Sequence, residues 1–277
     1  MRLSIVLPAR NESVGLANVL PRLRERQPDA ELIVVDDGST DDTAAIAEAA
    51  GARVLRAPYG MGNGAAIKRG ARAARGEVIV FMDADGQHDP AHIDTLLARL
   101  AEGHDMAVGA RDASGQASRH RGLANAFYNR LASWMTGHRV ADLTSGFRAV
   151  KAGKFREFLH LLPNGFFRSG YPVAYVPIPV HQRVGTASHI RPLKDGIRFL
   201  LIIFKIATLY SPLKLFLPAA VAFFLLGLGW YGYTFTETGR FTNMSALLMS
   251  AGVITFFMGL ISEQITGLTY LAAREEG

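Results

Sequence analysis

Short apolar runs alternate with longer amphipathic stretches through the first part of the chain. Leu3 to Leu7 reads as a strand that stops at Pro8, and Asn11-Glu12 opens a helix to about Arg26. Glu31 to Val35 reads as a second strand, ending in Asp36-Asp37-Gly38-Ser39. Thr40 or Asp41 is placed to cap a helix from Asp42 to Ala50. Arg53 to Arg56 is a short third strand, and Gly60 to Gly64 is a loop feeding a helix to about Arg75. Glu77 to Met82, Pro90 to Ala101 and Met106 to Gly109 continue the series as strand, helix and strand. Val78 to Met82 is apolar at every position, the signature of a parallel strand buried on both faces. Strands alternating with helices predict an α/β domain with a mostly parallel, doubly wound sheet.

The pattern changes after Arg111. Ala113 to Arg121 is polar and basic; Leu123, Phe127, Leu131 and Trp134 then share one face of a helix at about 121–137. Two short strand-like runs follow, Phe147 to Val150 and Val173 to Pro177. From Pro192 to Leu209, Lys194, Arg198 and Lys205 share a face while the others carry Leu, Ile and Phe, as in helices that lie in a membrane interface. Leu215 to Phe235 holds no charge over 21 residues, enough to span a bilayer. Met244 to about Leu268 is a second such stretch, and Glu263 within it is costly unless it faces protein or the interface. Lys205, Lys214 and Arg274 flank the outer ends against Arg240 alone in the link, which predicts that the α/β domain and the C-terminus are cytoplasmic.

Composition narrows the compartment and the partners. The 277 residues hold no cysteine, which removes disulfides and thiolate metal sites and fits a reducing compartment. The net charge of +6 suits an anionic membrane; nucleic acid is the other class such a surface can meet. No signal peptide is apparent at the N-terminus.

The candidate chemistry sits where Val78–Met82 ends. Asp83 and Asp85, separated by Ala84, are followed by Gln87 and His88. Open α/β sheets bind ligands at the carboxyl ends of their strands. Two hard oxygen ligands there can hold Mg²⁺ or Mn²⁺ and, through it, a diphosphate; a strand ending in a polar turn is the alternative. Gly62-Asn63-Gly64 lacks the Gly-Lys-Ser/Thr of an ATPase phosphate loop, and no Ser-His-Asp or Cys-His set is suggested.

Taken in order, these residues resemble the family 2 glycosyltransferases of the GT-A fold, in their polyprenyl-phosphate branch. The resemblance rests on Leu7 to Glu12, Asp36 to Ser39, Gly62 to Gly64, Asp83 to His88, Gly109 to Arg111 and Asp142 to Arg148, and on the apolar hairpin. It implies a Rossmann-like GT-A domain over 1–190, a juxtamembrane helix over 191–211 and a transmembrane hairpin over 212–277. It also implies nucleotide-sugar contacts from Pro8, Asn11, Glu12, Asp37, Gly64, Asp83, Ala84 and Asp85, with Asp83, Asp85 and Gln87 as the metal set. Asp85 and Arg111 are the expected catalytic residues. Arg111, Arg119, Arg121, Ser145 and Arg148 are expected to meet the acceptor phosphate. His88 is expected behind the metal ligands.

The implied reaction is inverting transfer of a monosaccharide from a nucleotide sugar to a polyprenyl phosphate at the cytoplasmic membrane. A lipid phosphate is already an anion and can attack without a general base; it needs positive charge to approach a diphosphate, and arginine forks match its oxygens. A glycerolipid or polysaccharide acceptor, and a sugar-nucleotide-binding membrane scaffold without catalysis, are the rival readings. The chain lacks the Gln-x-x-Arg-Trp of polysaccharide synthases in this family. One departure stands out: Pro163-Asn164-Gly165-Phe166 runs straight into Phe167 to Tyr171, where the family carries further helix-forming residues. Either this is a natural deletion or part of the chain is missing there.

Overall fold

The structure, a computed structural model, describes residues 2–111, 119–158, 166–167, 170–180, 208 and 211–275; of 119–125, 157–158 and 269–275 only the main chain is described. The chain divides into two units, Met1–His189 and Ile190–Gly277. The expected basic helix at 192–209 and the departure at Pro163–Gly165 lie outside the described residues.

The first unit is built on strands β1 (Leu3–Ala9), β2 (Glu31–Asp36), β3 (Arg53–Arg56), β4 (Val78–Phe81), β5 (Met106–Arg111), β6 (Arg148–Lys151) and β7 (Val173–Ile178), in the order β3-β2-β1-β4-β6-β5-β7. All neighbours pair in parallel except β6, which runs antiparallel to both β4 and β5. The expected mostly parallel sheet is therefore observed, with one reversed strand inserted between β4 and β5. Helices α1 (Ser13–Arg26), α2 (Thr43–Ala49), α3 (Asn63–Ala73), α4 (Ile93–Ala101), α5 (Arg119–Thr136) and α6 (Ala152–Phe158) connect or flank the strands.

Alternation along the strands divides the core into two layers. Ile5 and Leu7 of β1 pack with Leu16, Leu20 and Leu96 on one side of the sheet. Val6, between them, packs with Ile33, Phe81 and Phe155 on the other. Hence β4 needs apolar residues at every position, and Val78 to Phe81 are all buried.

Two helix features differ from the sequence reading. The second helix begins at Thr43, with Asp42 in the capping position and making no side-chain cap. Asp41 accepts the Thr43 N–H at 3.1 Å and also the N–H of Ser13, at the start of α1, at 3.3 Å. Its carboxylate therefore ties two helix N-termini together, a tertiary role that local capping patterns do not reveal. In α5, Phe127 and Trp134 of the expected apolar face are 56% and 51% exposed, whereas Ala132 and Met135 turn into the protein.

The second unit is a helical hairpin, Pro212–Thr238 and Asn243–Glu275, with Gly239 in the left-handed conformation closing the first helix. Both helices are long and apolar enough to cross a membrane. Leu226 and Leu247 stand 62% and 64% exposed, which a water-soluble hairpin of this apolarity would bury. The helices meet closely: a Cβ on Gly252 would lie 2.9 Å from the carbonyl oxygen of Ala220. Glu263 accepts the N–H of Leu213, in the first turn of the partner helix, at 3.3 Å. That donor has no partner within its own helix, and the positive end of the helix dipole favours the carboxylate.

Candidate active site

Strand direction brings the candidate residues to one edge. β1 and β2 end together, with Ala9 opposite Asp36. β4 lies alongside, with Phe81 opposite Val6, so Asp83 emerges at the same carboxyl edge. β6 runs the other way, with Arg148 opposite Phe81 and Val108, so the loop entering β6 stands where its neighbours finish. An antiparallel insertion is thus what carries the Asp142–Phe147 segment to the carboxyl edge.

On the β1–β2 side, main-chain donors meet short polar side chains. Asn11 adopts φ 54°, the one described non-glycine residue in the left-handed region. Its Oδ1 accepts the Thr40 N–H at 2.8 Å, and its own N–H goes to Ser39 Oγ at 3.0 Å. The N–H of Glu12 is donated to Thr43 Oγ1 at 2.9 Å, and Glu12 is buried. Asp36 accepts the Ser39 N–H at 2.9 Å. Both oxygens of Asp37 are used, on the N–H groups of Met61 (2.7 Å) and Gly62 (2.8 Å). Asp37, expected to contact the nucleotide sugar, therefore also holds the loop that feeds α3. Gly64 is exposed in the first turn of α3, and Pro8 is half-buried near the end of β1.

The two carboxylates after β4 differ. Asp85 is 8% exposed and its Oδ1 accepts the Gln87 N–H at 3.1 Å. Asp83 keeps 37% of its side chain exposed and accepts no hydrogen bond from the described residues. Its contacts are His88, whose Nε2 stands 3.8 Å from Oδ2, and the main chain at Gly146. His88 is buried and stacked on Phe147 at 5.1 Å between ring centroids, which puts it behind Asp83. Among the described residues no group of three His, Asp or Glu side chains could hold a metal ion. Two carboxylates, one with its lone pairs uncommitted, match a hard cation that brings substrate phosphates as its remaining ligands. The donor set fits Mg²⁺ or Mn²⁺ on that ground. Ala84 is buried beneath, its carbonyl oxygen packed against Gly15 of α1.

Across the β4–β6 junction the charges pair with one another. Arg111, at the end of β5, donates Nε to Asp142 Oδ2 at 2.8 Å and Nη2 to Oδ1 at 3.1 Å, and bonds Thr144 as well. Burial by itself would raise the pKa of Asp142; the hydrogen bonds and charge of Arg111 outweigh it and hold the carboxyl below its usual range. Arg148 is buried, donating Nε to the Ser145 carbonyl and Nη2 to that of Leu143, both at 2.7 Å. Burial pushes its pKa down to about 10, still a cation at neutral pH. Ser145 is buried too, its hydroxyl donated to the Gly109 carbonyl at 2.6 Å. Ser145 and Arg148 thus have structural partners where an acceptor contact was expected. Arg119 and Arg121 fall on α5, and their side chains lie outside the described residues.

Three contributors have roles that the sequence did not reveal. Asp142 was expected only within a motif, yet it orients Arg111. Gly146 touches Asp83 across 63 positions of chain, and Thr43 braces Glu12 across 31. Only the antiparallel placement of β6 and the meeting of α1 with α2 bring them there.

The mostly parallel seven-stranded sheet, with its candidate site at the carboxyl edge, is the architecture of the GT-A fold. The chain belongs to Glycosyl transferase family 2, whose signature matches residues 4–159, and the GtrB C-terminal hairpin matches residues 211–268. It is therefore a glycosyltransferase with a membrane-type hairpin. Glycosyltransferase AglJ of Haloferax volcanii is 27% identical, over 95% of this chain and 93% of its own. An undecaprenyl-phosphate 4-deoxy-4-formamido-L-arabinose transferase of Pseudomonas aeruginosa is 29% identical, over 95% of this chain and 84% of its own. Glucosyl-3-phosphoglycerate synthase of Mycobacterium tuberculosis, solved with Mn²⁺, uridine diphosphate and glucosyl-3-phosphoglycerate, shares the fold at a TM-score of 0.59. It is 24% identical, over 74% of this chain and 79% of that one.

Proposed function

We propose that this enzyme transfers a monosaccharide from a nucleotide sugar to a polyprenyl phosphate at the cytoplasmic face of a membrane that its hairpin spans twice. The observation that carries the reading is Arg111, a two-thirds-buried guanidinium held on Asp142 at the same carboxyl edge of the sheet from which the partly exposed Asp83 emerges. A site with a fixed cation and, among the described residues, no evident general base suits an acceptor that arrives as an anion. Asp83 and Asp85 would hold Mg²⁺ or Mn²⁺, with Gln87 beside them, and the cation would supply Lewis-acid neutralisation of the nucleoside diphosphate leaving group. Asn11, Glu12 and Asp37 frame the nucleotide end. Asp142 fixes the guanidinium plane of Arg111, so its outer edge can meet acceptor phosphate oxygens without first losing side-chain freedom. The relatives' names support a lipid-phosphate acceptor, and the exposed Phe127 and Trp134 support contact with an apolar interface.

Purified full-length protein, given labelled nucleotide sugars with undecaprenyl phosphate or with diacylglycerol, is expected to label the phosphate alone, and to stop in EDTA. Labelling of diacylglycerol instead, or transfer undiminished by chelation, would overturn the acceptor or the metal assignment respectively.

A further inference from the structure

We infer that Gly146 is a positioning residue for Asp83: its missing side chain sets where that carboxylate stands. The inference rests on the metal reading above. A Cβ built on Gly146 would lie 2.4 Å from Asp83 Oδ2, 2.6 Å from Oδ1 and 2.7 Å from Cγ. These are its three nearest atoms, and all belong to one carboxylate. The backbone at Gly146 does not itself demand glycine, because its φ is not in the left-handed region. What excludes a side chain is the carboxylate.

Which partner would yield follows from what holds each. The chain around Gly146 is anchored on both sides. Ser145 donates to the Gly109 carbonyl, and Arg148 donates to the carbonyls of Ser145 and Leu143. The Phe147 carbonyl accepts the Gly109 N–H at 2.9 Å, and the Phe147 ring is buried against His88. Asp83 accepts no hydrogen bond from the described residues, so its orientation is set by contact, between His88 and the Gly146 main chain. A methyl group at 146 therefore turns Asp83 and leaves the loop in place. Steric seating of this kind fixes a ligand while keeping all its lone pairs for the cation, which a hydrogen-bonded seat does not.

The test uses full-length protein in detergent, with Mn²⁺ and uridine diphosphate as probes in calorimetry. Gly146→Ala is expected to fold, to bind the nucleotide in EDTA as the parent does, and to lose about 10- to 100-fold in Mn²⁺-dependent binding, the range for removing a ligand's support. Gly153→Ala, whose Cβ meets nothing within 4 Å, is expected to match the parent in both. In an Asp83→Ala background, Gly146→Ala should change neither binding nor Tm. Parent-like Mn²⁺ dependence in Gly146→Ala, or an equal loss in EDTA, overturns the inference. Should Gly146→Ala fail to fold, the Asp83→Ala/Gly146→Ala pair must fold, since the clash is gone; failure there also overturns it. A parent protein indifferent to Mn²⁺ would sink the metal reading instead. The Tm comparison across the four Asp83/Gly146 combinations remains separate, because it reads the contact alone.

Discussion

The two halves of the carboxyl edge are held by different chemistry. Around β1 and β2, carboxylates and hydroxyls accept from main-chain N–H groups: Asp36 from Ser39, Asp37 from Met61 and Gly62, Thr43 from Glu12. Around β5 and β6, charge meets charge or a charged fork meets carbonyls: Arg111 on Asp142, Arg148 on Leu143 and Ser145. The first arrangement shapes loops and is divisible, since each bond contributes about 0.5–1.5 kcal/mol net. The second fixes cations and is less divisible, because removing one partner strands a charge out of water. Under the proposed reaction, the contrast would suit hydrogen-bonded loops at the nucleotide end and ready-made positive charge at the acceptor end.

The comparison can be broken most sharply between the halves. Asp85→Asn is expected to abolish transfer while leaving the Tm close to the parent's, because an amide is a poor ligand for a hard cation; radiolabel transfer and thermal unfolding read the two sides. Next comes Asp142→Ala, which leaves Arg111 unpaired. Full burial would make that cost about 3–5 kcal/mol. With Arg111 31% exposed we expect about 2–3 kcal/mol of lost stability in denaturant unfolding, and a raised KM for polyprenyl phosphate. Asp142→Asn should recover much of the stability and less of the KM.

On the other half, Asp37→Asn keeps one acceptor oxygen for two N–H groups. We expect a loss of about 1 kcal/mol, with faster amide exchange at Met61 and Gly62 and little change at Arg111. An equal loss of exchange protection on both halves would remove the distinction between them.

The smallest expected effect concerns acid. Asp142 has a folded pKa below its ordinary value of 3.8, so its contribution is complete above that value and is lost as pH falls through the lower, folded one. The Tm of the parent should drop more steeply than that of Asp142→Asn through this acid range and run parallel to it near neutrality.

How much of this was legible follows one rule. Contacts local in sequence, or imposed by periodicity, could be read; contacts made by topology could not. Val78–Met82 announced a buried strand because both its faces meet core, and Asp83 and Asp85 followed from its end. The two apolar C-terminal helices were legible from length and apolarity, though both run further than the apolar stretch alone. The reversal of β6 left no mark, because four residues such as Arg148–Lys151 read the same in either direction. With it went the meeting of Gly146 with Asp83. The pairing of Arg111 with Asp142 was equally hidden, since the sequence shows an arginine after a strand but not which carboxylate it will meet.

The open edge of the sheet has a consequence for the protein before it is fully folded. β3 ends the sheet after only four residues, with arginine at each end. Arg53 is drawn to the Ala73 carbonyl and to Glu31, and Arg56 to Glu48. A short margin with a charge at each end is a poor template for a strand from another chain, whereas a long apolar one invites it. Replacing both arginines by valine should leave the finished enzyme active but raise light scattering during refolding. In a protein whose C-terminal helices are themselves apolar enough to cross a membrane, a guarded margin leaves one fewer adhesive surface while the chain folds.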